Sequence, residues 1–183
     1  LLGYNKSNPK IAYSSVLFGK NPEQTYDIAK KQKNKNFNAV KFGWENFGIN
    51  IKNDEEHLIA ARDALGKDIN LMIDVGAVWG TDVDEANKRS KILKEANIIW
   101  LEEPFFSDAF FEYNQLGKIS NLPLAGGESC HSVDSAKNMI RYGNVNFIQI
   151  DAGIAGGILA GKEVFDFAEK NNVQYVNHTF TSH

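Results

Sequence analysis

Seven short β-rich runs, separated by amphipathic stretches of helical period, constrain this chain more than any other feature of it. They predict strands over Ile11–Phe18, Ala39–Trp44, Leu71–Val75, Ile98–Leu101, Leu122–Ala125, Phe147–Ile150 and Val173–Val176. Between them, helical patterns begin near Pro22, Glu55, Asp82, Asp108, Ser132 and Gly157. The first start is explicit, because Asn21, Pro22 and Gln24 offer a side-chain cap, a first-turn proline and a capping-box partner. Strands joined through helices of this length pair in parallel by right-handed crossovers, which leaves an open doubly wound sheet or a (β/α)-barrel of TIM type.

Spacing separates these two. Polar residues near successive strand ends fall at Lys41, Asp74, Glu102, Glu128, Asp151 and His178, at intervals of 33, 28, 26, 23 and 27 residues by subtraction. A barrel of about 250 residues needs about 30 per unit and turns every strand end toward one mouth, where its active site is built. An open sheet seldom charges the end of each consecutive strand. The seventh run lies close to His183, so the barrel expected over residues 1–183 is incomplete, about seven strands of eight. Two free strand edges would follow, and an absent segment or a partner chain would have to cover them, which leads us to expect a homo-oligomer.

With 43% hydrophobic and 23% charged residues, the chain has the profile of a folded domain with a substantial core. Its formal charge of −3 is spread among mixed acids and bases, so it lacks the basic field that nucleic acid or an anionic membrane requires. The expected partner is a small molecule, with no nucleic acid and no membrane. One cysteine, Cys130, allows no internal disulfide, and the start shows no signal-peptide pattern, so a cytoplasmic location is expected. The first residue is Leu1 rather than methionine, which suggests a piece of something longer.

Asp74 ends the run LMID, Glu102 ends IIWLE and Glu128 ends LAGGE, with no Lys or Arg expected among these three acids. Any one of them alone reads as a solvated loop residue or a helix cap. Three on successive strand ends would repel one another, and a hard divalent cation such as Mg²⁺ relieves that with the oxygen ligands it prefers.

The ordered set NAVKFGW, LMIDVG, WLEEP, AGGES, IQIDAG and NHTFTSH resembles the mandelate racemase branch of the enolase superfamily, the mandelate racemase/muconate lactonizing enzyme family, across essentially the whole chain. The resemblance implies that residues 1–183 are an incomplete C-terminal barrel domain, without the N-terminal capping domain of that family. It implies Mg²⁺ held by Asp74, Glu102 and Glu128, with Glu102 pointing into the mouth and Glu103 elsewhere. It also implies removal of the proton α to a carboxylate, through an enediolate intermediate. The base would be His178, oriented by Asp151. Many relatives carry Lys-x-Lys on the second strand, where this chain has Lys41 and then Gly43, and often Asn two residues after the metal aspartate, where it has Gly76. With no second lysine, dehydration of a sugar acid is the expected reaction. Racemisation or epimerisation of a 2-hydroxy acid, with Lys41 serving the second face, is the alternative.

Other classes fit less well. GGILAGKE, residues 156–163, nearly satisfies a P-loop, but Glu163 stands where a hydroxyl must hold Mg²⁺, so its glycines read as a tight turn before a helix. Lys41 as a Schiff-base nucleophile would leave the three acids unexplained. A non-catalytic metal-binding barrel remains the third reading, supported by Gly43 and Gly76.

Overall fold

The structure, a computed structural model, describes residues 10–179. Strands β1 (Ser14–Leu17), β2 (Ala39–Gly43), β3 (Asn70–Asp74), β4 (Ile98–Glu102), β5 (Leu124–Gly126), β6 (Phe147–Asp151) and β7 (Gln174–His178) form one sheet. The helices are α1 (Pro22–Asn34), α2 (Ile51–Leu65), α3 (Val83–Asn87), α4 (Ser90–Glu95), α5 (Phe110–Ser120), α6 (Val133–Tyr142) and α7 (Ile158–Lys170). All six strand pairings are parallel and spatial order equals sequence order. This is the topology of a (β/α)-barrel, curled but not closed, since among the described residues β1 and β7 each have one neighbour.

Alternation along the strands creates two cores. Val40, Phe42, Leu71, Ile73, Leu101, Ile148 and Ile150 face the helices in one large cluster. Met72, Trp100 and Ala125, joined by Tyr13, Phe147 and Val176, fill the barrel interior. Leu71 and Ile73 are wholly buried, and each such side chain contributes roughly 1.5–3 kcal/mol. The inward set continues to the C-terminal ends of the strands as Lys41 and Gly43, Asp74, Glu102, Asp151 and His178. One period-2 rule thus buries the apolar residues and gathers the polar ones at the mouth.

Helix starts follow their caps. Asn21 accepts from Gln24 N, Asp82 from Glu85 N and Ser132 from Ser135 N. The second helix begins at Ile51 rather than near Glu55, because Asn50 accepts from Asn53 N and starts it a turn earlier. The pattern expected from Asp82 as one helix is two, α3 and α4, divided at Lys88 and Arg89. The first strand is shorter than its apolar run, and Ile11 is exposed. Gly156 and Gly157, at φ 110° and 100°, make the turn into α7 that the near-P-loop stretch suggested. No helix of the described residues is long and apolar enough to cross a membrane.

Candidate active site

The six strand-end residues lie at one mouth, in two linked groups. In the first, Lys41 Nζ stands 3.1 Å from Asp74 Oδ2 and also donates to Glu102 Oε1. The second Glu102 oxygen accepts from Trp100 Nε1 at 2.8 Å, and Asp74 Oδ1 accepts from Gly76 N at 3.1 Å. The expectation that no cation lies among the acids is therefore corrected. Lys41 occupies the inward position of β2, one strand from Asp74 and two from Glu102, and its long stem carries the ammonium up between them.

Burial pushes Glu102 up from its ordinary range, while the Lys41 ammonium opposes the rise. Burial also disfavours charge on Lys41, but Glu102 and Asp74 outweigh it and hold the amine well above its usual value. The group is thus an ammonium bridging two carboxylates.

In the second group, His178 sits between two acids. Its Nδ1 lies 3.2 Å from Asp151 Oδ2 and its Nε2 3.2 Å from Glu128 Oε2. Asp151 is fixed in turn, because its Oδ1 accepts from Gly153 N at 2.8 Å and Ile154 N at 3.3 Å. Desolvation works against the charge on Asp151, but the bonds from His178, Gly153 and Ile154 win and lower its pKa. Burial raises Glu128, with His178 pulling the other way.

Glu103 points away from this mouth, in line with the alternation. At φ 47° the backbone leaves the strand there, one residue before Pro104. Its carboxylate accepts from Gly127 N at 2.7 Å and from Tyr113 Oη at 3.1 Å. Burial, chiefly, pushes it up to about 7. By holding Gly127, it anchors the turn that presents Glu128. Nothing in the sequence signals this role, nor that of Gln149, an almost wholly buried inward residue of β6 whose Oε1 has no hydrogen-bond partner among the described residues.

The donor set suits a hard divalent cation: three carboxylates at neighbouring strand ends, in surroundings that already attract an ammonium and an imidazole. Among the described residues, no three His, Cys, Asp or Glu side chains converge closely enough to enclose an ion as they stand. A metal on Asp74, Glu102 and Glu128 therefore needs Lys41 and His178 to release those carboxylates.

Residues 24–183 match the family model of enolase C-terminal domain-like proteins. The chain belongs to that family. The mandelate racemase and muconate lactonizing enzyme resemblance read from the motifs is the correct one. Like this enolase-type domain, the structure of a predicted mandelate racemase from Rhodobacter sphaeroides carries the fold, with a TM-score of 0.93 and 42% identity over 99% of this chain and 47% of that one. L-talarate/galactarate dehydratase of Salmonella typhimurium is 30% identical over 70% of this chain and 32% of its own length. D-galactarolactone cycloisomerase of Agrobacterium fabrum is 27% identical over 98% of this chain and 47% of its own. The enolase-type chain thus spans about a third to a half of the length of these relatives.

Proposed function

We propose that the intact protein is a Mg²⁺-dependent enzyme that removes the proton α to the carboxylate of an acid sugar, and that the reaction is dehydration. The observation that carries this reading is the asymmetry of the two faces: Asp151 orients His178 on one, while on the other the inward position that follows Lys41 on β2 is Gly43, which has no side chain. A base must be able to take a proton. Gly43 has no group that can, which argues against a second base on that face and so against the racemase or epimerase alternative.

Asp74, Glu102 and Glu128 would hold Mg²⁺, which when bound offsets the negative charge that develops on the substrate carboxylate. The residues of this chain then divide the remaining work. His178 takes the α-proton, and Asp151 fixes its tautomer and favours the imidazolium that results. The β-hydroxyl departs as water with a proton from the protonated His178, and the enol left behind tautomerises to a 2-oxo-3-deoxy acid. Lys41 contributes positive charge beside the substrate carboxylate. The chain itself would be the barrel domain, residues 1–183, of a longer protein whose capping domain completes substrate selection.

Similarity to an L-talarate/galactarate dehydratase and a D-galactarolactone cycloisomerase supports acid sugars as the substrate class. The full-length protein with Mg²⁺ should be screened against aldonates and aldarates, galactarate and L-talarate included, with 2-oxo acid formation as the readout. Epimerised substrate without any 2-oxo acid would replace dehydration by epimerisation.

A further inference from the structure

Trp44 follows the last residue of β2 at φ 64°, and Glu45 follows at φ 55°. For a bulky side chain the left-handed region is an outlier, and such backbone persists where its surroundings fix it, commonly beside functional sites. Here the surroundings are the candidate metal ligands. Trp44 N donates to the Asp74 carbonyl at 3.1 Å, and the indole lies on Gly76, where an added Cβ would stand 3.3 Å from its Cε2. Gly76 is also the residue whose N–H bonds Asp74 Oδ1. Beneath, an added Cβ on Gly43 would come within 3.1 Å of Asp74 Cβ. The two departures from the family pattern, Gly43 and Gly76, are therefore the two places where a side chain would crowd the indole or the Asp74 carboxylate.

The indole itself is open. Trp44 is 57% exposed, whereas Trp79 and Trp100 are each 6% exposed. Among the described residues its N–H has no hydrogen-bond partner, whereas Trp79 Nε1 donates to Gly48 O and Trp100 Nε1 to Glu102. A flat apolar face with one free donor, set on Gly76 two residues from Asp74, suits a ligand with a C–H face and hydroxyls along its edge.

We propose that Trp44 is a specificity-determining residue of this site, its indole forming the wall against which the C–H face of a polyhydroxy acid lies. This rests on the acid-sugar reading given above. Gly76 provides the flat seat, and Gly43 lets Asp74 sit close against β2 beside it.

The quenchable fluorescence of Trp44 is the part of the acrylamide-quenchable signal of the full-length protein that Trp44→Phe removes, since Trp79 and Trp100 are buried. In a His178→Asn background, to prevent turnover, Mg²⁺ with galactarate or L-talarate should remove most of the quenchable fluorescence. In the parent enzyme, Trp44→Ala should raise KM for the better of these two substrates about tenfold, with a much smaller change in kcat. Trp44→Phe should recover about half of that loss on a logarithmic scale, and it remains readable if the alanine variant folds poorly. An unchanged KM in both variants overturns the proposal. So does a Trp44 already shielded in the ligand-free full-length protein, which would mean that another part of the protein covers it. If the parent enzyme turns over no acid sugar at all, it is the reading of the site that fails, and the wall with it.

Discussion

Asp151 and His178 are register partners on adjacent parallel strands, and their side chains meet at 3.2 Å, Oδ2 to Nδ1. The pairing follows from the sheet itself: both residues take the inward position at the last rung of their ladder, so the contact needs no loop to arrange it. Asp151 is braced by two backbone N–H groups, and the imidazole is left with Nε2 toward the mouth. His178→Asn should abolish incorporation of solvent deuterium at the substrate α-carbon, since Asn fills the space but cannot carry a proton. Asp151→Asn should lower the exchange rate by about 10²-fold, within the usual range of general acid-base contributions. Mass spectrometry of recovered substrate distinguishes the two, and full exchange in His178→Asn would place the base elsewhere.

The adjacent glutamates should separate cleanly. Glu102→Gln deletes a charge at the mouth and should weaken Mg²⁺ binding at least tenfold by titration calorimetry. Glu103→Gln, whose side chain faces Gly127 and Tyr113, should weaken it much less. Equal losses would mean that the wrong glutamate has been assigned to the metal.

Glu103 also sets a pH dependence. With its pKa pushed up to about 7 in the folded protein against about 4.3 unfolded, the folded state holds the extra proton between these values. Stability should therefore fall as pH rises from about 4.3 to 7 and level off above, by up to about 4 kcal/mol from this group. Glu103→Gln should remove that decline. Urea unfolding at pH 5 and pH 8 tests it, and an identical slope in the variant would show that the decline comes from other groups.

Lys41→Met leaves Asp74 and Glu102 facing each other in a buried setting without their shared cation. In the presence of chelator, unfolding free energy should drop by roughly 3 kcal/mol or more. The Lys41 pKa is raised, so its stabilisation is complete below about 10.4 and is lost only as pH climbs through the folded value. Between about pH 6 and pH 9 Lys41 itself does not titrate, so any growth of the deficit with pH in that window reports Asp74 and Glu102, which the variant leaves without their cation. Any α-exchange that survives in this variant should keep the hand set by His178. Exchange of only one enantiomer in Lys41→Met and only the other in His178→Asn would mean a base on each face, and a racemase or epimerase.

Farther from the chemistry, Arg89 is fully buried and bonds Asp54 Oδ2 at 2.9 Å and Gly48 O at 2.8 Å, while its guanidinium lies 5.2 Å from the Trp79 ring. It ties the segment after β2 to the start of α4. Arg89→Met leaves Asp54 buried and unpaired and should cost about 3–5 kcal/mol in chemical unfolding. Faster amide exchange at Gly48 should accompany the loss.

Chain order and period 2 were enough to read the parallel strands, the inward polar set and the shared mouth, because each depends only on residues near one another in sequence. Asp151 and His178 were legible together for the same reason, as two strand ends of equal phase on neighbouring strands. The start of α2 was missed because one Asn50 cap outweighs the polar stretch that follows. What only the tertiary structure decided are the contacts made by long side chains across the sheet and between loops: Lys41 rising between Asp74 and Glu102, Arg89 reaching Asp54 across 35 positions, and Glu103 turning back to hold Gly127. A sequence specifies the face a residue takes, but the partner a flexible charged side chain finds there is set by distances that exist only after the strands have been laid side by side.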